Sequence, residues 1–176
     1  EAGVDVNKAD TDNRTPLFNA AWMGHEAVVK ALIEAGAEVN KANAEHRRTP
    51  LFQAILLGHE AVVKALIEAG ADVNKANTDD WTPLYTAAWK GREALVKALI
   101  EAGADVDKAD TDHRTPLYTA AWYGHEAVMK ALIEAGADVN KTNNKGWTAL
   151  MHTSQPPIAH HCRPLLWTCH KWQQLW

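Results

Sequence analysis

Cysteine is almost missing from this chain: of 176 residues only Cys162 and Cys169 carry a thiol, and both stand near the end. A disulfide framework is thereby excluded for everything before them. A cysteine-free body fits a reducing compartment, so an intracellular, cytoplasmic setting is expected. Long apolar runs are missing too. No stretch approaches the roughly 18 to 20 residues required of a membrane-spanning helix, and membrane insertion is not expected. Nor does charge of one sign dominate. The formal net charge of -4 lacks the basic balance on which sequence-independent nucleic-acid binding depends. There is no phosphate-cradling glycine loop, no nucleophile beside a base and no isolated pair of carboxylates, so catalysis is not expected and no cofactor is implied.

A leading methionine and a signal peptide are also lacking. The first residues, Glu1-Ala2-Gly3-Val4-Asp5-Val6-Asn7-Lys8-Ala9, instead copy an internal phrase, Glu34-Ala35-Gly36-Ala37-Glu38-Val39-Asn40-Lys41-Ala42. They predict a chain that starts in the middle of a repeated unit, a fragment.

Repetition is what the sequence does have. Thr15-Pro16-Leu17-Phe18 returns as Thr49-Pro50-Leu51-Phe52, Thr82-Pro83-Leu84-Tyr85, Thr115-Pro116-Leu117-Tyr118 and Thr148-Ala149-Leu150-Met151. The threonines stand 34, 33, 33 and 33 residues apart, and a fixed period of that size sets the architecture. Between them a second phrase recurs, from Gly24-His25-Glu26 to Gly36, then Gly58 to Gly70, Gly91 to Gly103 (with Arg92 for His) and Gly124 to Gly136.

Each unit reads as two short helices and an extended return. Thr15 is a good N-cap, because its hydroxyl accepts from an orphan N–H, and Pro16 fits the first helical position, where no N–H is needed. Leu17, Ala20 and Ala21 follow at helical spacing, and Gly24 stops the helix. Val28, Val29, Leu32 and Ile33 form the apolar face of the second helix, which Gly36 ends. A turn rich in Asp, Asn and Thr follows, as at Asp10-Thr11-Asp12-Asn13. Neither helix reaches the roughly 12 to 15 residues at which an isolated helix is marginally stable. Stability must therefore come from stacked neighbours.

Period, motif and apolar pattern together resemble the ankyrin repeat family, from residue 1 to about residue 152. The resemblance implies an all-α, ankyrin-repeat α-solenoid of stacked antiparallel helix pairs with short β-hairpin-like loops. Its units are expected at 1–10 (the end of a truncated repeat), 11–43, 44–77, 78–110 and 111–143, with a partial repeat at 144–155 and an atypical tail at 156–176. It also implies a non-catalytic protein–protein interaction module, a monomer that binds a protein partner through a concave face. The chain departs from the family motif in carrying Phe18, Phe52, Tyr85 and Tyr118 where His is usual, which removes the ring of the usual Thr–His hydrogen bond. Glu26, Glu60, Glu93 and Glu126 stand where Leu is frequent. A glycine with positive φ is usual two residues before each helical threonine, and here that position holds Asn13, Arg47, Asp80, His113 and Gly146. Arg47 tolerates the left-handed region least, and it belongs to the unit with one extra residue, so a distorted turn is predicted there.

By the same resemblance, the two residues before each Gly-His step lie on the concave side: Trp22 and Met23, Leu56 and Leu57, Trp89 and Lys90, Trp122 and Tyr123. The residue before each helical threonine lines the same face, giving Arg14, Arg48, Trp81, Arg114 and Trp147. Trp, Tyr and Arg are the types enriched at interface hot spots. Trp22, Trp89 and Trp122 are the expected anchors. The competing expectation is internal packing, with the rings folded back over the Ala20–Ala21 helix, above all Trp81 and Trp147. Two further roles stay open, a recognition arm of a larger multidomain enzyme or regulatory protein and a structural spacer.

Other candidates are weaker. His25-Glu26, His59-Glu60 and His125-Glu126 lack the second His that a zincin helix needs, and are expected to brace neighbouring loops. The resemblance marks Asn40, Asn74 and Asn140 as possible hydroxylation positions of 2-oxoglutarate-dependent oxygenases, with Asp107 at the equivalent place in the third unit. Bracing of the turn is the alternative. His160-His161-Cys162 and Cys169-His170 match no common zinc spacing, and no metal site is expected. The pattern stops after His152. From Ile158 to Trp176 there is no acidic residue, and there are three tryptophans. Pro164-Leu165-Leu166-Trp167-Thr168, read two bases later, permits Ala-Ala-Val-Asp, close to the repeat's own wording, so a frameshift is one reading. The other is a helix bearing Leu165, Leu166, Cys169, Trp172, Leu175 and Trp176 on one face, capping the stack.

Overall fold

The computed structural model describes residues 5–153. The readings of the tail and of the first four positions lie outside those residues. Four helix pairs and one short helix follow in order: α1 (Pro16–Met23) and α2 (Glu26–Glu34), α3 (Pro50–Leu57) and α4 (Glu60–Glu68), α5 (Pro83–Trp89) and α6 (Glu93–Glu101), α7 (Pro116–Tyr123) and α8 (Glu126–Glu134), then α9 (Leu150–Thr153).

The caps form as local chemistry requires. The Thr15 hydroxyl accepts the Phe18 N–H at 3.1 Å, and Thr49, Thr82 and Thr115 repeat the bond with Phe52, Tyr85 and Tyr118. Each following proline occupies the first helical position. At the end of α1 the His25 N–H donates to Ala20 O at 3.0 Å across Gly24, whose φ is +74°. A second close occurs after α2, where Ala37 N–H reaches Leu32 O and Gly36 N–H reaches Ile33 O. These are six-to-one and five-to-two closures, which need a left-handed residue and so favour glycine.

Stacking supplies the core. The first helices α1, α3, α5, α7 and α9 pack in one row, and α2, α4, α6 and α8 pack in a second. Leu17, Leu51, Leu84 and Leu117 fall between the rows and are fully buried, with Ala21, Ala54, Ala87 and Ala120 letting neighbouring helices approach closely. Burial depends on having a neighbour. Val62, Leu95 and Val128 are buried, while Val28, at the same place on the first second-row helix, is 49% exposed. That is the one-dimensional logic of a repeat stack.

Side chains tie the units together as well. His59 Nε2 donates to Trp22 O at 3.0 Å, Arg92 Nη2 to Leu57 O at 3.2 Å, and His125 Nε2 to Trp89 O at 3.0 Å. The histidines at 59 and 125 are the expected braces, and Arg92 does the same work. In the return segments Asn40 Oδ1 accepts Asp72 N–H and Asn74 Oδ1 accepts Asp105 N–H, both at 2.8 Å.

The hairpin-like tips contain no strand among the described residues, only an isolated antiparallel bridge between Thr142 and Thr148. Asn13, Arg47, Asp80, His113 and Gly146 all take positive φ, and Arg47, at +53°, does not depart from the others. The predicted distortion therefore does not fall on the Arg47 backbone, but on the inner hydrogen bonds of the turn. The other tips donate the N–H of Asn13, Asp80, His113 and Gly146 to the carbonyl three residues back, and no such bond reaches Asn43 O among the described residues. The extra residue is absorbed upstream in the turn Ala44-Glu45-His46, while Asn43 N–H still meets Arg48 O at 2.9 Å.

Candidate functional site

Residues four and eight apart share one side of a helix, and long side chains lean toward its N-terminus. The first-row helices α1, α3, α5 and α7 use this to build a column of side chains that includes at least one ring. On α1, Arg14 Cζ lies 5.2 Å from the Trp22 ring, and Phe18 meets Trp22 edge-on at 6.2 Å. On α3, Arg48 Cζ sits 5.7 Å over Phe52, with half-buried Leu56 one turn further on. The α5 column is Trp81, 5.2 Å from Tyr85 and 5.5 Å from Trp89, with Lys90 Nζ 4.3 Å over Trp89. On α7, Tyr118 and Trp122 stack at 6.2 Å. Trp147 continues the series before α9. Because these helices pack side by side, the columns stand next to one another on one side of the stack, with Leu56 in place of a tryptophan on α3.

The expected site residues divide on this face. Trp22 and Trp122 rest on their own columns yet stay exposed, at 37% and 40%. Trp81 is half-buried between two rings of the same helix, which is the internal packing foreseen as the alternative. Trp147 is exposed, and Trp89 and Lys90 are half-buried. Met23 and Leu57 project at the far end of the helices. Tyr123 turns toward the loop and stacks on His125 at 6.2 Å.

The three arginines differ in a way that spacing alone does not reveal. Arg114 binds Asp110 Oδ2 through Nη2 at 2.6 Å and Nε at 2.8 Å, and reaches Asp112 at 3.1 Å. Tyr85 joins from the preceding unit, its hydroxyl donating to Asp110 Oδ2 at 3.1 Å. Burial works against the charge of Arg114, but the hydrogen bond to Asp110 and the nearby acids outweigh it and hold its pKa above the ordinary value. Burial also pushes the Tyr85 phenol well above its usual range. Arg14 pairs with Asp12 at 3.1 Å and reaches Glu45 at 3.9 Å. Arg48 has no ion pair among the described residues, and burial lowers its pKa, partly countered by Asp79 and Glu45. The Tyr85–Asp110–Arg114 cluster escaped sequence reasoning. Its signal was the change from Phe to Tyr at position 85 together with an Asp in the next tip.

Asn40 and Asn74 lie away from this face, in the return segments. Each also directs its Nδ2 at a carbonyl of the next unit, Gly70 O and Gly103 O, at 3.4 Å. Bracing is therefore what these two side chains do, and Asn140 is the exposed last member of the series. No group of His, Cys, Asp and Glu able to hold a metal occurs among the described residues. Nor, among them, is any helix long and apolar enough to cross a membrane.

Stacked helix pairs joined by short tips, repeating at a fixed period, define an α-helical repeat protein. The family model for ankyrin repeats in three copies matches residues 1–77, 42–110, 74–143 and 96–166, and the chain belongs to the ankyrin repeat family. It is also 46% identical over 46 residues to an ankyrin repeat-containing protein of Saccharomyces cerevisiae. That stretch is 26% of this chain and 9% of the yeast protein, so the chain spans less than a tenth of that relative's length.

Proposed function

We propose that this chain is a non-catalytic module that binds a protein partner across the first-row face, with Trp22, Trp89 and Trp122 as anchors. The observation that carries this reading is the side-by-side arrangement of aromatic columns, with Trp22, Met23 and Leu57 presented to solvent. A repeated aromatic surface of this kind exceeds scattered exposure, and its residue types suit interface hot spots. Leu56 and Leu57 fill the interval between the tryptophans, and Arg14, Arg48 and Arg114 supply polar definition. A cytoplasmic setting and a monomeric state belong to the same proposal.

The test is selection of binders from a displayed random-peptide library, followed by affinity measurement on wild type, Trp89→Ala and the Trp22/Trp89/Trp122 triple alanine variant. Truncating Trp89 is expected to weaken binding by at least about 2 kcal/mol, as for a hot spot. Unchanged affinity with an intact circular-dichroism spectrum would remove that assignment, and a failure to select any binder would favour a spacer.

A second reading, the recognition arm of a larger multidomain enzyme or regulatory protein, draws on the yeast relative, most of which lies beyond the match. Hydroxylation of Asn40, Asn74 and Asn140 is a further proposal. Intact mass of natively expressed protein should then show a gain of one oxygen per site, and unmodified masses would dismiss it.

A further inference from the structure

We propose that Arg48 receives an acidic side chain, an Asp or Glu carboxylate, from the protein segment bound on the first-row face. This deepens the function proposed above and rests on it. The argument begins in the tips. Asp10, Asn43, Asn77, Asp110 and Asn143 occupy equivalent positions, and each uses Oδ1 to accept the N–H of the residue before the helical threonine. The acceptor distances are 2.8 Å for Arg14, 2.8 Å for Arg48, 2.9 Å for Trp81, 2.8 Å for Arg114 and 3.1 Å for Trp147. That duty needs an oxygen but no charge, so Asn and Asp serve equally.

The charge instead goes with the identity of the residue before the helical threonine. Where the tip holds Asp, the following residue is Arg: Asp10 with Arg14, Asp110 with Arg114. Where it holds Asn, the residue is Trp: Asn77 with Trp81, Asn143 with Trp147. Asn43 with Arg48 breaks the rule. Its consequence is visible in the contacts. Arg114 is held by Asp110 and Asp112 through Nε and Nη2, and the Arg14 guanidinium is held by Asp12. Arg48 has no carboxylate within 4 Å among the described residues, and its buried Nε has no acceptor. Arg14 Nε shares that lack, but its Nη2 does not.

The surroundings make an incoming acid the fitting occupant. The Arg48 guanidinium lies over Phe52, and the helices that carry Trp22 and Trp89 pack on either side of α3. Of the nearest acids, Glu45 is engaged by His46 at 3.2 Å, and Asp79 acts only from beyond ion-pair distance. A planar guanidinium against an aromatic face donates two parallel hydrogen bonds to a carboxylate, and a docking segment that excludes water strengthens them. With Arg14 and Arg114 already paired to acids of their own tips, Arg48 is the one of the three arginines with no ion pair among the described residues, and it sets the register of an acidic residue in the partner.

The experiment uses peptides selected on the wild-type chain from the displayed library, each remade with its acidic residue changed to the amide. The expected result is an Asp or Glu at a fixed offset from an apolar or aromatic residue. The acid-to-amide change should weaken binding at least tenfold on wild type but leave Arg48→Gln nearly indifferent. Asn43→Asp, which gives Arg48 a carboxylate of its own, should lose the acid preference likewise. Peptides that depend on Trp22 and Trp122 but show no acid preference, or keep it on Arg48→Gln, would overturn the role of Arg48 alone. Peptides indifferent to Trp22→Ala and Trp122→Ala, or no selected binder at all, would overturn both proposals.

Discussion

The Tyr85 hydroxyl donates to Asp110 Oδ2 at 3.1 Å across the junction of two units, where Phe18 and Phe52 have no hydroxyl to offer. Asp110 is buried, and Arg114 closes over it from its own tip. Tyr85→Phe should therefore destabilise the stack by about 1 kcal/mol, the net worth of a buried hydrogen bond. The pH dependence has a definite sign. Burial raises the Tyr85 pKa in the folded state, so the fold favours the neutral phenol, and Tyr118 is shifted in the same direction by its own burial. Their contribution is complete below the ordinary phenol pKa of about 10 and is lost as pH rises above it, because the unfolded chain then ionises first. Denaturation at increasing pH should show an alkaline decline that is shallower in Tyr85→Phe. An identical decline in both proteins would contradict it.

Gly24 is constrained twice. Its φ is +74°, and an added Cβ would stand 2.6 Å from Nδ1 of His59, the ring that bonds Trp22 O. Gly36, at φ +84°, has nothing within 4 Å of that position. Gly36→Ala should cost roughly 1 to 2 kcal/mol for the left-handed backbone alone, and Gly24→Ala distinctly more. In a His59→Ala background the gap between the two should shrink, as urea denaturation of the four proteins would show.

Arg47 holds φ +53° without the local hydrogen bonding that an Asn or Asp side chain supplies there. Arg47→Gly should stabilise the protein by about 0.5 to 1 kcal/mol, the looser unfolded state of glycine offsetting part of the relieved strain. A lower melting temperature would show that the Arg47 conformation carries no such strain.

Asp107 interrupts the asparagine series. Its carboxylate accepts Asp138 N–H at 3.1 and 3.3 Å and lies 3.4 Å from Lys141 Nζ. As a carboxylate it cannot donate to the next carbonyl as Asn40 and Asn74 do. Asp107→Asn should add about 0.5 to 1 kcal/mol of stability, and the gain should grow with salt, which screens the Lys141 pair it gives up. A loss of stability at high salt would refute this.

Much of this was legible in the residues themselves. Threonine caps, N1 prolines and left-handed glycines are local devices, readable in sequence because each acts within one turn of its own position. The period then dictated stacking, since helices this short have no stability apart from neighbours. The extra residue before Arg47 left its backbone angle unchanged, because a tip can take up one residue by giving up its inner hydrogen bonds while keeping the outer pair between Asn43 and Arg48.

The roles of like residues were another matter. Arg14, Arg48 and Arg114 are equivalent by motif and differ in charge pairing, and Trp81 and Trp22 are both tryptophans on the same face but differ in exposure. Local chemistry settled the helices, their ends and their repeat. Which arginine is neutralised, which ring is covered and which carbonyl meets a histidine were settled by packing, because those contacts join residues brought together only when the units stack.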